Sequence, residues 1–164
     1  MQATLAKLAE IREKNPETRI VFCSGGFDLT HAGHAIFLEE CKKRGDLLVV
    51  GIGPDEIIKK EKGEDRPVLN ESVRLKLVSS LKPVDHAFII PIINVPRHLD
   101  HLRPVFSKLK PNVYVVNSDI VDTEDRVRLL DDYGTELVQL DRECPATFEQ
   151  ISTTKIIEKI KKLA

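Results

Sequence analysis

The 164-residue chain contains no tryptophan, one methionine and only three cysteines, Cys23, Cys41 and Cys144. The cysteines are odd in number and none makes a CxxC pair, which argues against a disulfide framework or a thiolate metal site. Cys23 and Cys41 lie in apolar segments and read as buried, reduced thiols of a cytoplasmic protein. No stretch approaches the roughly 18 uninterrupted apolar residues of a membrane span. The N-terminal MQATLAKLAEIREKN carries charges every few residues and lacks the apolar core of a signal peptide. Nor is there an excess of either charge: 25 Lys and Arg oppose 26 Asp and Glu. That balance excludes a protein whose main task is to neutralise nucleic-acid phosphates or anionic lipid, so any anion site must be local. Internal repeats, low-complexity tracts and long linkers are absent too, and residues 1–164 read as one domain.

What is present alternates. Apolar residues at helical spacing (Leu5, Leu8, Ile11) predict a helix over 2–14. Ile20-Val21-Phe22-Cys23 is a short apolar run that stops at Ser24-Gly25-Gly26, as a buried strand with a glycine exit does. A helix is expected from Gly33 to Arg44, a strand at 47–52, a partly ordered polar loop over 54–70 and a helix from Glu71 to about Leu81. Further on, Val84 to Ile93 contains a strand, Pro96 to Leu109 a helix, 113–116 a strand, 123–133 a helix and 136–140 a fifth strand. A last helix from Ser152 to Leu163 carries Ile156, Ile157, Ile160 and Leu163 on one side. Such alternation predicts an α/β fold: a Rossmann-like parallel sheet of about five strands with helices on both faces. Ligands then bind beyond the carboxyl ends of the strands, where strand order reverses.

The segment leaving the first strand, Gly25-Gly26-Phe27-Asp28-Leu29-Thr30-His31-Ala32-Gly33-His34, is the most unusual in the chain. Gly25 and Gly26 let backbone N–H groups approach an oxyanion, and the following helix start adds donors and a favourable dipole. His31 and His34, three residues apart, can face one side, and Gly33 between them keeps the surface open. Together they describe a phosphate cradle with two switchable donors. Two other readings stand beside it: histidines that only support the fold, and a zinc site in which the HxxH pair is joined by Asp28.

GGFDLTHAGH resembles the GxFDxxHxGH signature of the cytidylyltransferase-like nucleotidyltransferases. Ile151-Ser152-Thr153-Thr154-Lys155 resembles their second, ISTT-type signature, about 120 residues later and at a helix start. Between the two, Lys62-Gly63, Arg66-Pro67, Glu71 to Leu81 and Val84-Asp85 resemble a run found in the heptose-1-phosphate adenylyltransferase and glycerol-3-phosphate cytidylyltransferase groups. The resemblance covers residues 18 to 164 and implies a reaction in which an NTP and a phosphorylated small molecule give an NDP-linked product and pyrophosphate. It implies Mg²⁺ as the cofactor and no protein metal site. CTP is the favoured donor; the alternative is ATP, with a sugar phosphate such as heptose 1-phosphate, or FMN, as acceptor. Eight aromatic residues in all give no support to a large flavin-stacking pocket.

Residue by residue, the resemblance makes His31, His34, Lys62 and Arg66 catalytic. It gives the nucleotide Gly25, Gly26, Phe27, Gly33, Asp119, Ile151, Ser152, Thr153 and Thr154, and the acceptor Asp28 and Arg74. The loop from Ile57 to Asn70, rich in charge and poor in apolar anchors, is expected to be mobile and to close over the phosphates. A homodimer is the expected assembly, with no membrane or nucleic-acid partner. Three departures from the family pattern stand out. Gly26 replaces a common Thr or Cys. Val116-Asn117-Ser118-Asp119 keeps the Asp without the glycine usual before it. Asp141 to Gln150 is longer than the usual connection and contains Arg142, a candidate base contact. A binding module without turnover is the competing class, opposed by the intact phosphate donors. A nucleic-acid surface on Arg97 to Lys110 is another, opposed by the lack of interleaved aromatics.

Overall fold

The five apolar runs become β1 (Ile20–Gly25), β2 (Leu47–Ile52), β3 (His86–Ile89), β4 (Val113–Asn117) and β5 (Glu136–Leu140). They form one all-parallel sheet in the order β3-β2-β1-β4-β5. The computed structural model describes residues 2–93, 95, 99–119, 123–141 and 148–163. Its helices are α1 (Gln2–Lys14), α2 (Ala32–Lys42), α3 (Asp55–Lys62), α4 (Glu71–Ser79), α5 (Arg103–Leu109), α6 (Thr123–Asp131) and α7 (Thr153–Lys161). A 3₁₀ turn, Asp100–Leu102, precedes α5.

Because side chains alternate along a strand, each central strand feeds two cores. Phe22, Val49, Phe88, Tyr114 and Val116 bury one face against α1, α5 and α6 through Leu8, Phe106, Leu109, Leu129 and Leu130. Val21, Cys23, Leu48, Val50, Val113 and Val115 bury the other against Leu38 and Cys41 of α2 and Val78 of α4. Phe22 stacks with Tyr114 at 5.4 Å and meets Phe106 edge-on at 5.6 Å, so much of the small aromatic inventory is spent in the core. Cys23 and Cys41 are free and fully buried, as expected, and Cys144 lies outside the described residues. No helix among the described residues is long and apolar enough to cross a membrane.

Two elements differ from the sequence reading. Residues 55–62 form a helix, not a loop. Asp55 and Glu56 at its start and Lys59, Lys60 and Lys62 at its end suit the helix dipole, and Ile58 anchors it in the interior. The helix expected from Pro96 is described only from the 3₁₀ turn onward, so Arg97 lies outside the described residues.

β1 pairs with β2 on one side and β4 on the other, so the chain reverses its direction of winding between β1 and β4. The crevice at their carboxyl ends is bounded by Gly25 and Asn117. There the α/β rule places a ligand.

Candidate functional site

The turn leaving β1 is strained: Phe27 and Leu29 have φ of 48° and 46°, a left-handed conformation unfavourable for residues with a Cβ. Burial holds it in place. Phe27 is 5% exposed and sets its ring edge-on to His34 at 5.3 Å. Such strain, retained at a glycine-rich exit, marks a loop whose shape matters more than its local energy.

From that turn the chain enters α2 through a cap built of imidazoles. His31 is the N-cap; its Nδ1 accepts from the Gly33 N–H at 3.1 Å, and His34 Nδ1 accepts from the His31 N–H at 3.4 Å. The rings stack with centroids 4.0 Å apart. A neutral imidazole that accepts at Nδ1 carries its proton at Nε2, so the caps fix both rings as Nε2–H donors. Gly33 leaves room for the ring beside it: a Cβ there would lie 3.0 Å from His31 Cε1 and 3.5 Å from the carbonyl oxygen of Ile151, so the imidazole would have to shift by a few tenths of an ångström.

The second helix start meets the first. Ser152 caps α7, its Oγ accepting from the Lys155 N–H at 3.2 Å. Thr153 donates from Oγ1 to the Asp28 carbonyl at 2.7 Å, which ties α7 to the β1 turn across 125 residues of sequence. Two helix N-termini thus converge on one recess of about 550 Å³. His31, Gly33, His34, Lys62, Arg66 and residues 151–154 line it, all of them singled out from the sequence. Asn117, Phe148, Glu149 and Gln150 line it too and were missed as site residues. The signals were weak but present: Asn117 ends a central strand at the reversal point, and Phe148, 51% exposed, is an apolar ring held out of the core.

Gly25 and Gly26 face a smaller recess of about 150 Å³, lined also by Lys62, Glu61, His101 and Arg126. A Cβ on Gly26 would come within 3.2 Å of Ile58, so the departure from Thr or Cys accompanies the packing of α3. Lys62 lines both recesses and stands at their junction.

Four expected contacts lie outside both linings. Arg74, expected at the acceptor, is instead fully buried. It donates to the carbonyls of Gly26, Gly53 and Leu69 and pairs with Asp55 at 2.6 Å, so its fork is spent holding the β1 and β2 exits to α3 and α4. Asp28 is corrected in the same sense. Its carboxylate accepts from Arg66 Nε at 3.2 Å and from the N–H groups of Val68 and Leu69 at 2.9 and 3.0 Å. It therefore pins the segment expected to be mobile and aims Arg66 at the larger recess. Phe27 turns its ring into the core, and Asp119 is exposed in the turn after β4. Arg142 lies outside the described residues.

The polar lining offers Nε2–H donors, helix N–H groups, hydroxyls and three cations (Lys62, Arg66 and Lys155) against one carboxylate (Glu149). It suits a polyanion running from one helix start to the other. Among the described residues no three His, Cys, Asp or Glu side chains gather as a metal cage.

The model of the family described as cytidylyltransferase-like matches residues 22–159. The bifunctional protein HldE of Helicobacter acinonychis is 36% identical over 160 residues, covering 97% of this chain and 31% of that protein. HldE of Helicobacter pylori is 37% identical over 159 residues, 96% of this chain and again 31% of the relative. This chain therefore spans about a third of the length of these curated relatives. A lipopolysaccharide core biosynthesis protein from Thermoplasma volcanium superposes with a TM-score of 0.63 at 26% identity, covering 77% of this chain and 99% of that one. A pantoate-beta-alanine ligase from Francisella tularensis, at 17% identity and a TM-score of 0.62 over 96% of this chain and 75% of its own, shares the fold alone.

Proposed function

The chain belongs to the cytidylyltransferase-like family, and from that premise we propose that it transfers an adenylyl group from ATP to a sugar phosphate of the heptose 1-phosphate class. The observation that carries the reading is the convergence of the His31/His34 cap and the Ser152 cap on one recess, with Lys62 and Arg66 in its lining. Two likenesses favour a sugar phosphate and ATP over the CTP preferred from sequence, while the central run from Lys62 to Asp85 fits the heptose-1-phosphate adenylyltransferase and glycerol-3-phosphate cytidylyltransferase groups alike. The relatives are bifunctional proteins of which this chain matches one part. A structural neighbour is named for building the lipopolysaccharide core, a saccharide.

In this reading the acceptor's phosphate oxygen attacks the nucleotide α-phosphorus in line. One P–O bond forms, the bond to the bridging oxygen breaks, and pyrophosphate leaves. The nucleophile is already an anion, so no strong base is needed; the protein must align two polyanions and neutralise the transition state. His31 and His34 donate from Nε2 to the α-phosphate and the bridging oxygen, beside the Gly33 surface. The α7 start, with Ile151, Ser152, Thr153 and Thr154, takes the β- and γ-phosphates. Lys62 bridges donor and acceptor from the junction, and Arg66, held by Asp28, adds charge. Phe148 offers its exposed ring to the base. Mg²⁺ would accompany the triphosphate, where phosphate and water oxygens suit a hard cation. The reading includes a homodimer in the cytoplasm.

The test is to incubate the purified protein and Mg²⁺ with each of the four NTPs and a panel of heptose 1-phosphate, mannose 1-phosphate, glycerol 3-phosphate and FMN. Pyrophosphate release with ATP and a sugar 1-phosphate is expected. Release with CTP and glycerol 3-phosphate alone would replace the adenylyl reading with the cytidylyl one. No release with any pair would refute both.

A further inference from the structure

The smaller recess holds an arginine that the transfer reading does not use. Arg126 lies on α6, is 9% exposed, and lines this recess opposite Gly25 and Gly26. Its position is fixed. Nη1 donates to the Tyr114 hydroxyl at 2.6 Å, and the guanidinium carbon stands 5.6 Å from the centroid of the same ring. The Tyr114 hydroxyl in turn lies 2.9 Å from Ser24 Oγ. Tyr114 is on β4 and Ser24 on β1, so the arginine is clamped to the two strands between which the fold reverses. The tyrosine ring itself is fully buried, stacked on Phe22 and edge-on to Phe106.

We propose that Arg126 is a specificity-determining residue that holds the hydroxyl-bearing, non-reacting end of a phosphorylated polyol in the smaller recess. The proposal rests on the nucleotidyl-transfer reading above. The attacking phosphate must sit where donor and acceptor meet, and Lys62 is the cation that lines both recesses. The rest of the acceptor then extends into the smaller recess, away from the triphosphate. At about 150 Å³ that space is under a third of the 550 Å³ beside it, too small for a nucleotide and suited to a small polyol. Beyond Lys62 at its mouth, its polar lining mixes a guanidinium, a carboxylate (Glu61), an imidazole (His101) and a hydroxyl (Ser24), set among Ile57, Leu99 and other apolar side chains. Donors and an acceptor interspersed on an apolar floor recognise hydroxyl groups. A second phosphate would instead want cations alone. A guanidinium already oriented by a phenol loses little entropy when it binds, which is why the clamp matters.

The test uses Arg126→Gln, Arg126→Lys and Tyr114→Phe in the whole chain, with thermal melts for each. ATP binding is measured by calorimetry, and KM is measured for both substrates using the sugar phosphate that the wild type turns over. Arg126→Gln should raise the acceptor KM about 10- to 100-fold, the scale of one lost charge-assisted hydrogen bond, and leave ATP binding unchanged. Arg126→Lys should recover part of that loss. Tyr114→Phe, which keeps the ring and removes the hydroxyl that accepts from Arg126, should raise the acceptor KM severalfold. Mannose 1-phosphate, titrated into the wild type and the Gln variant with a non-hydrolysable ATP analogue, gives a readout without turnover. It should shift the NMR signals of His101 and the Gly25 and Gly26 amides in the wild type only. If the wild type releases pyrophosphate with a sugar phosphate and the Arg126 variants keep the wild-type acceptor KM, the transfer reading stands and this assignment falls. Equal rises in both KM values, or a lowered melting temperature with unchanged kinetics in the folded fraction, would make Arg126 a structural residue. If no phosphorylated polyol binds to or reacts with the wild type, both fall.

Discussion

Asp28→Asn replaces one oxygen of a buried carboxylate with a donor, and the structure sets what that costs. Asp28 is 4% exposed and accepts three hydrogen bonds: Oδ2 from Arg66 Nε and the Val68 N–H, Oδ1 from the Leu69 N–H. The best asparagine rotamer keeps its oxygen at the Oδ2 position, where two donors are served. Its amide then faces the Leu69 N–H, donor against donor, at a site where the wild-type distance is 3.0 Å. An unsatisfied buried N–H costs about 1–3 kcal/mol. Arg66, whose side chain is 17% exposed, also loses its ionic partner. Breaking a wholly buried pair costs about 3–5 kcal/mol, and this pair is not wholly buried, so a smaller share is added. The sum is about 2–4 kcal/mol, which at this chain length lowers Tm by roughly 5–15 °C. Calorimetric melting measures it directly, and hydrogen exchange at the Val68 and Leu69 amides reports where the loss occurs. Those amides should be protected in the free wild-type protein and exchange faster in the variant. Activity should fall through kcat, because Arg66 is then held by a neutral amide oxygen in place of a carboxylate, with the acceptor KM held. A variant that melts within about 1 °C of wild type, with unchanged exchange and a raised acceptor KM, would refute the latch and return Asp28 to the acceptor contact expected from sequence.

The two histidines can be separated from their caps. His31→Asn keeps a side-chain acceptor at the N-cap, so it should lower kcat about 10²-fold while leaving Tm nearly unchanged. His31→Ala should show the same loss of rate plus about 1 kcal/mol of destabilisation, and equal rates for Asn and wild type would exclude the donor role. Gly33→Ala should divide the two properties in the same sense. A helix gains up to about 0.8 kcal/mol from alanine, but the added Cβ lies 3.0 Å from the His31 ring, so activity should drop without any fall in Tm. Full activity would show that the ring yields freely. Burial, and secondarily its hydrogen bond with Cys41, pushes the Cys23 thiol up, so less of it is thiolate at any working pH. Neither Cys23 nor Cys41 should react with a disulfide thiol reagent until the protein unfolds, and rapid modification of Cys23 in native protein would contradict that packing.

Most of the sheet was legible because its signal is local and strong. Runs such as Leu47–Ile52 are apolar at successive positions, as a strand covered on both faces requires, and such runs in alternation with helical periodicity leave little choice of architecture. The site was legible where chemistry is written in adjacent residues. His31, Gly33 and His34 stand together in sequence and in space, and Ser152 to Thr154 mark a helix start by their capping chemistry. α3 was missed for a physical reason. With Ile57 and Ile58 as its only large apolar residues, it shows no apolar stripe, and its remaining signal is the order of its charges, acidic first and basic last. That order favours a helix by tenths of a kcal/mol per residue, too little to distinguish from a solvated charged loop without its neighbours.

What stayed hidden shares one property: a polar side chain whose partner is remote in sequence. The resemblance places Arg74 at the acceptor, though a helix arginine three residues after a glutamate is often only a surface pair. It is neither, because its acceptors are the carbonyls of Gly26, Gly53 and Leu69, groups present at every residue and therefore invisible as a pattern. Asp28, expected at the acceptor, lies outside both recess linings and holds the amides of Val68 and Leu69, 40 and 41 residues away. Arg126 sits among the charges of an ordinary amphipathic helix, and only the pairing of β1 with β4 brings Tyr114 and Ser24 beneath it. A motif names the residues that touch the phosphates, because those must be close together. The residues that hold the motif in shape, and those that would choose the acceptor, are fixed by topology and take their meaning from the fold.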